Sequence, residues 1–346
     1  MKDYFKNSAN TAPLLVLGIF VLLLVSRLID TTLLNRENEY VAVIVLQLII
    51  FLLPAAFYIK ALGLDFGRFR ISAFGPGHLL LLLSAFISLT AGTILIEFYT
   101  VGGASLDRSY DLWGVFISKN EGTVSNTIYL ILAYASLPAI CEEFVFRGLL
   151  ISEYEKRSTT AAVLLSSLFF ALLHFDIERF LVYFFAGLVL AMTLYATRSL
   201  PAAIAVHLWH NLVGLFGRPY MQTLVSLGGE KLFMILLTAI FLLFSGIFAA
   251  EAARLYKNYA RFDLSSAYRE LDPPYPPADA DSTPLEELAA KHPRIAATCG
   301  AIFSFPSLVC YVAYTAAVFI EFEKGASDGE HQSRKNSKKE NIEKTE

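Results

Sequence analysis

The sequence predicts an all-α fold: a polytopic membrane helix bundle of about eight or nine transmembrane helices. Three observations lead there. Of 346 residues, 55% are hydrophobic and 17% charged, against roughly 25% charged in an ordinary soluble domain. Mean hydropathy is +0.54. The charges are also clumped, with 25 of 59 in residues 256–294 and 321–346, so the other 281 residues carry too few to solvate a globular surface. The same balance sets aside a soluble enzyme, a disordered chain and a nucleic-acid binder.

A bilayer core of about 30 Å needs roughly 20 apolar residues per helix. Apolar runs occur at 12–29, 40–62, 77–99, 126–150, 160–175, 179–197, 200–217, 232–255 and 296–320. The first is long and lacks a small-x-small cleavage pattern before Ser26-Arg27, so it reads as a retained helix rather than a signal peptide. The fifth to seventh are short and closely spaced, which predicts tight hairpins. The chain then divides into N-terminal transmembrane helices (1–125), helices bearing the polar motifs (126–217), an eighth transmembrane helix (218–255), a polar Pro-rich insert (256–294), a ninth transmembrane helix (295–321) and a charged disordered tail (322–346). In the insert, Pro273-Pro274-Tyr275-Pro276-Pro277 favours an extended polyproline stretch. Thr283-Pro284-Leu285-Glu286 has a capping-box pattern that predicts a short helix at about 284–291.

Leaving the tail aside, placing the N-terminus in the cytoplasm puts about twice as many Lys and Arg on that side, including Lys60, Arg68, Arg70, Lys156 and Arg157, a bias that the six basic residues of a tail beyond a ninth helix nearly cancel. The expectation is a multi-pass protein of the cell membrane with a cytoplasmic N-terminus. Cys141, Cys299 and Cys310 lie in apolar stretches and read as small buried hydrophobes without a disulfide framework. Glu97 and Glu251, near helix ends, read as interfacial, and His78 as a loop residue at a helix start.

The informative residues are ionisable groups at bilayer depth. Glu142, Glu143 and Arg147 share one apolar run. At a helix centre each would cost about 2.5–3.5 kcal/mol to insert, so the flanking apolar residues must offset a cost of several kcal/mol. Glu143 and Arg147 are four apart on one helix face and can pair. Glu142 is turned about 100° away and must meet a polar cavity or another helix. Pro138, four residues earlier, removes a backbone donor and can kink the helix there. A carboxylate in a low-dielectric pocket is suited to general-base work. Two other helices supply companions: His174 ends the fifth run, and His207 and Asn211 project from one face of the seventh. His210 reads as structural, and Cys141 as an inert buried thiol.

A carboxylate, two imidazoles and an amide suffice to activate water and stabilise an oxyanion. Glu142, His174 and His207 could instead bind a divalent metal such as zinc, although H-E-x-x-H is missing. No cofactor is required by the pattern itself.

Glu142-Glu143-x-x-x-Arg147, Phe170-x-x-x-His174 and His207-x-x-x-Asn211, in that order, resemble the three motifs of the CAAX protease and bacteriocin-processing intramembrane proteases, which include the type II CAAX prenyl endopeptidases. The resemblance covers about residues 130–215. It implies a membrane endopeptidase of glutamate-dependent or metalloprotease type. Glu142 would activate the attacking water and His174 would help hold it. His207 and Asn211 would stabilise the oxyanion, and Glu143 and Arg147 would order the site. The implied partners are a peptide or a lipidated or membrane protein substrate and the lipid bilayer, with no nucleic acid. A proton-coupled transporter and a catalytically silent scaffold or immunity protein are the alternative readings, since intramembrane carboxylates and histidines also build proton relays.

Overall fold

In the computed structural model, residues 8–26, 36–101, 124–155, 158–261 and 292–319 are described. The Pro-rich segment, the helix expected at 284–291 and the tail 322–346 lie outside them. Every element of two or more turns among the described residues is helical. These are α1 (Ser8–Ser26), α2 (Arg36–Gln47), α3 (Leu53–Leu62), α4 (Leu79–Val101), α5 (Val124–Ile131), α6 (Leu137–Glu143), α7 (Ile151–Tyr154), α8 (Thr159–Leu172), α9 (Phe180–Thr197), α10 (Leu200–Phe216), α11 (Arg218–Arg261) and α12 (Pro293–Ile302). A last apolar helix, α13, covers Phe305–Phe319. Among the described residues, five stretches are long and apolar enough to cross a membrane: Val41–Leu62, Pro76–Val101, Thr127–Tyr154, Phe180–Thr197 and Pro219–Tyr256. The apolar helices Thr11–Ser26, Thr159–Leu172, Leu200–Phe216 and Phe305–Phe319 are shorter. The chain is thus an integral membrane helix bundle, with α4 packed along α11 and α9, and α8 along α9.

Helix boundaries follow local chemistry. Ser158 and Ser199 cap α8 and α10 by accepting from Ala161 N and Ala202 N. Gly63, at φ 61°, ends α3 in the left-handed region. Two continuous rods contain π-helical turns. Leu48–Leu52 joins α2 to α3, while Leu132–Ser136 and Phe144–Leu150 bracket α6. A π turn, like a proline, leaves backbone carbonyls without their usual donor. Around Pro138 two of them are satisfied from other helices: Gln47 Nε2 donates to Ala133 O at 2.9 Å and Asn211 Nδ2 to Ala135 O at 3.3 Å.

Two expectations are corrected here. The ninth run is not one helix: it breaks at Phe303-Ser304, where Ser304 starts α13 by accepting from Leu308 N and Pro306 sits in the new first turn. Cys299, before that break, is exposed, whereas Cys141 and Cys310 are buried. The eighth helix, expected over 218–255, is α11 from Arg218 to Arg261, interrupted at Gly229, whose φ of 74° and ψ of 162° suit glycine alone.

Basic loops gather at one end of the bundle. Arg70 pairs with Glu155 at 2.6 Å, and Arg68 lies 3.9 Å from Glu153. Ser199 Oγ donates to Ser72 O, Leu200 N to Arg70 O, and Arg254 to Gly77 O. The segments 63–78 and 150–155 and the ends of α9 and α11 therefore share a face. From that end, α8 and α10 carry His174 and His207 inward.

Candidate active site

The site is built around the rod α5–α7. Leu137-Pro138 starts α6, and the π turn Phe144–Leu150 that follows places Arg147 inside the bundle. The Glu143 and Arg147 side chains are fully buried and paired at 2.9 Å. The guanidinium also donates to Gly187 O of α9 at 3.0 Å and lies over the Phe170 ring of α8, 4.5 Å from its centroid. One buried cation thereby ties three helices together.

Gly187 is essential to that tie. A Cβ there would come within 2.8 Å of Ser167 Cα and Cβ, so glycine is what lets α9 approach α8 closely enough to offer its carbonyl. Gly187→Ala is expected to lower stability by roughly 1–3 kcal/mol, read as a lower thermal midpoint in detergent. Ala at Gly246, where a Cβ meets nothing within 4 Å, is the control.

His207, 5% exposed, brings α10 into the cluster. Its Nδ1 lies 2.9 Å from Glu143 Oε1, the same oxygen that accepts from Arg147. An ionised carboxylate only accepts, so Nδ1 carries the hydrogen and Nε2 faces away from Glu143. Nε2 lies 4.0 Å from Glu142 Oε2, too far for a hydrogen bond. Glu142, which the helix period turns off the Glu143 face, thus meets the far side of the imidazole that Glu143 orients. Its side chain is 14% exposed, against 0% for Glu143, so of the two carboxylates it is the accessible one.

His174 is fixed from two sides. Its Nδ1 donates to Phe170 O at 2.9 Å, and its ring stacks on Tyr183 of α9 with centroids 3.7 Å apart and planes at 14°. The Phe170 ring meets both imidazoles edge-on, His174 at 5.1 Å and His207 at 5.8 Å. The six expected residues are therefore not equally grouped. Glu142, Glu143, Arg147 and His207 form one connected cluster, and His174 joins it through Phe170. Asn211 lies one turn beyond His207 and donates to the Ala135 carbonyl of the kinked rod. His210 points to α4, with Nδ1 3.4 Å from Thr90 Oγ1.

Among the described residues, no group of three His, Cys, Asp or Glu side chains is placed to hold a metal ion. Of the trio considered for zinc, Glu142 and His207 face each other, and Nδ1 of each histidine is held by an acceptor, which leaves Nε2 as the ring nitrogen either could offer a metal.

Several contributors carry no motif signal. Tyr183, Gly187 and the pair Glu97–Arg179 come from helices whose sequence is merely apolar. Glu97 is buried, at 6% exposed, and accepts from Arg179 Nε at 2.7 Å. Arg179 also pairs with Asp176 at 3.1 Å, which pins the turn after His174 to α4. Only the short Asp176-x-x-Arg179 spacing hinted at this.

Comparison with curated proteins and with solved structures gives no match for this chain. Comparison with protein families does, and over the same helices that build the cluster. Residues 124–213 match the family described as Rce1-like, type II CAAX prenyl endopeptidase.

Proposed function

We propose that the chain is an intramembrane endopeptidase in which Glu142 activates the water that attacks a peptide bond. The observation that carries this reading is the accessible Glu142 carboxylate opposite His207 Nε2, on an imidazole oriented by the buried Glu143–Arg147 pair. A base next to a donor that is itself held by a carboxylate is the arrangement acyl transfer needs.

The steps follow from the donors present. Glu142 takes a proton from water as the hydroxide oxygen bonds to the substrate carbonyl carbon. Charge moves onto the carbonyl oxygen. A proton on His207 Nε2 supplies a donor for it, and the Glu143 carboxylate on Nδ1 offsets the positive charge of the doubly protonated ring. An Asn211 amide has two N–H groups, so one remains for the oxyanion when the other serves Ala135 O. His174, which meets the same Phe170 ring as His207, helps hold the water through Nε2. When the C–N bond breaks, protonated Glu142 returns its proton to the leaving amine. These steps use no metal, so turnover should survive exhaustive chelation. A loss on chelation that zinc restores would contradict the direct mechanism.

The family match favours a prenylated or otherwise membrane-bound protein as substrate. Its scissile bond would have to reach Glu142 inside the bilayer. We place the end carrying Arg68, Arg70 and Arg254 in the cytoplasm, because basic loops collect there.

The reading is tested with purified protein in vesicles carrying both a prenylated peptide and a pH-sensitive dye inside. Cleavage of the peptide without proton flux is expected. Flux that needs Glu142, with no cleavage, would make the protein a proton-coupled carrier instead.

A further inference from the structure

His174 is followed by a residue in an unusual state. Phe175 has φ 51°, in the left-handed region that a bulky side chain rarely enters. It ends α8 at the place where glycine normally does so. A left-handed residue of this kind is strained and persists only where its surroundings hold it.

The surroundings that hold Phe175 are aromatic and lie outside the matched segment 124–213. Its ring, 3% exposed, meets Phe20 of α1 edge-on at 5.1 Å and stacks on Tyr314 of α13 at 6.1 Å with planes at 20°. Phe20 is 0% exposed and Tyr314 7%. Among the described residues the buried Tyr314 hydroxyl has no hydrogen-bond partner, so this tyrosine acts here through its ring. On the other side of the turn, Arg179 fixes the chain to Asp176 and Glu97.

The direction of the chain at Phe175 decides where His174 sits. His174 N bonds to Ala171 O and Phe175 N to Leu172 O, the tightened last turn of the helix. If Phe175 relaxed to a right-handed conformation, α8 would continue and the turn to α9 would shift. The Tyr183 ring, which arrives from α9, would then lose its register on His174.

We propose that Phe175, clamped left-handed by Phe20 and Tyr314, is a positioning residue for His174, so that helices outside the family segment set the geometry of the site. The catalytic consequence rests on the hydrolytic reading above; the clamp itself does not.

The test is nuclear magnetic resonance of histidine-labelled full-length protein in bilayers, with the His174 signal assigned by its loss in His174→Gln. Tyr314→Ala is expected to shift or broaden the His174 ring signals. Tyr314→Phe, which keeps the ring, should leave them in place, as should Val312→Ala on the exposed side of α13. If Tyr314→Ala fails to fold, Phe20→Leu carries the same expectation. Unchanged His174 signals in a folded Tyr314→Ala or Phe20→Leu protein would overturn the clamp. Equal shifts from Tyr314→Phe would overturn it as well.

Kinetics separate the clamp from the hydrolytic reading. With His174 displaced, kcat should fall roughly 10- to 100-fold with KM unchanged, and Tyr314→Phe should restore it. His174 signals that shift while turnover stays unmoved would leave the clamp standing and remove His174 from the reaction.

Discussion

Glu142→Gln is expected to lower turnover of a cleaved peptide by roughly 10²- to 10⁴-fold, the usual contribution of a positioned general base. The amide keeps the size and the hydrogen-bonding capacity of the carboxylate but cannot take the proton from water. Substrate should still bind, so the loss falls on kcat. Stability should be unaffected, because Glu142 is the partly exposed carboxylate and the helix-to-helix bonds run through Glu143 and Arg147. Single-turnover cleavage by protein in vesicles measures this. Turnover within twofold of wild type would remove Glu142 from the mechanism.

Arg147→Met should have the largest effect on the fold. It leaves the Glu143 charge, 0% exposed, with only His207 for support. Breaking a buried pair from one side costs about 3–5 kcal/mol, whereas replacing both partners by apolar residues of similar size is often much less harmful. Arg147→Met also gives up the bond to Gly187 O and the contact with Phe170. Arg147→Met is therefore expected to lose most of its folded population in detergent. Glu143→Leu combined with Arg147→Met should recover part of it while staying inactive, because His207 then lacks its Nδ1 acceptor. Thermal melts of the single and double variants measure the difference. Additive losses would mean that Glu143 is not the reason Arg147 is needed.

These effects rest on parts of the site that were unequally legible. The Glu143–Arg147 pair follows from a spacing of four in one helix, and the structure has it at 2.9 Å. Glu142 turned away from that face also follows, since adjacent helical residues point about 100° apart. That its counterpart is His207 Nε2 does not follow: the pairing spans 65 positions and depends on how α10 crosses the rod.

The apolar runs located the helices because hydropathy is a local property. Their irregularities were less visible. The π turns at Leu132–Ser136 and Phe144–Leu150 involve residues that are ordinary in any α-helix, and only Pro138 marked the place. The break at Phe303-Ser304 was hidden by uninterrupted apolar character, although Pro306 is its local cause. The pairing of Glu97 was hidden because its partner Arg179 is 82 positions away. Phe175 in the left-handed region was beyond any propensity argument, because a phenylalanine enters it only under a tertiary clamp made by α1 and α13.

The central claim is that this membrane chain cuts peptide bonds with Glu142. The most direct measurement compares peptide termini in membranes of cells expressing wild type and Glu142→Gln at matched levels. Termini present only with the wild type are predicted, and their sequences would name the substrates. Identical profiles from the two proteins would contradict the claim.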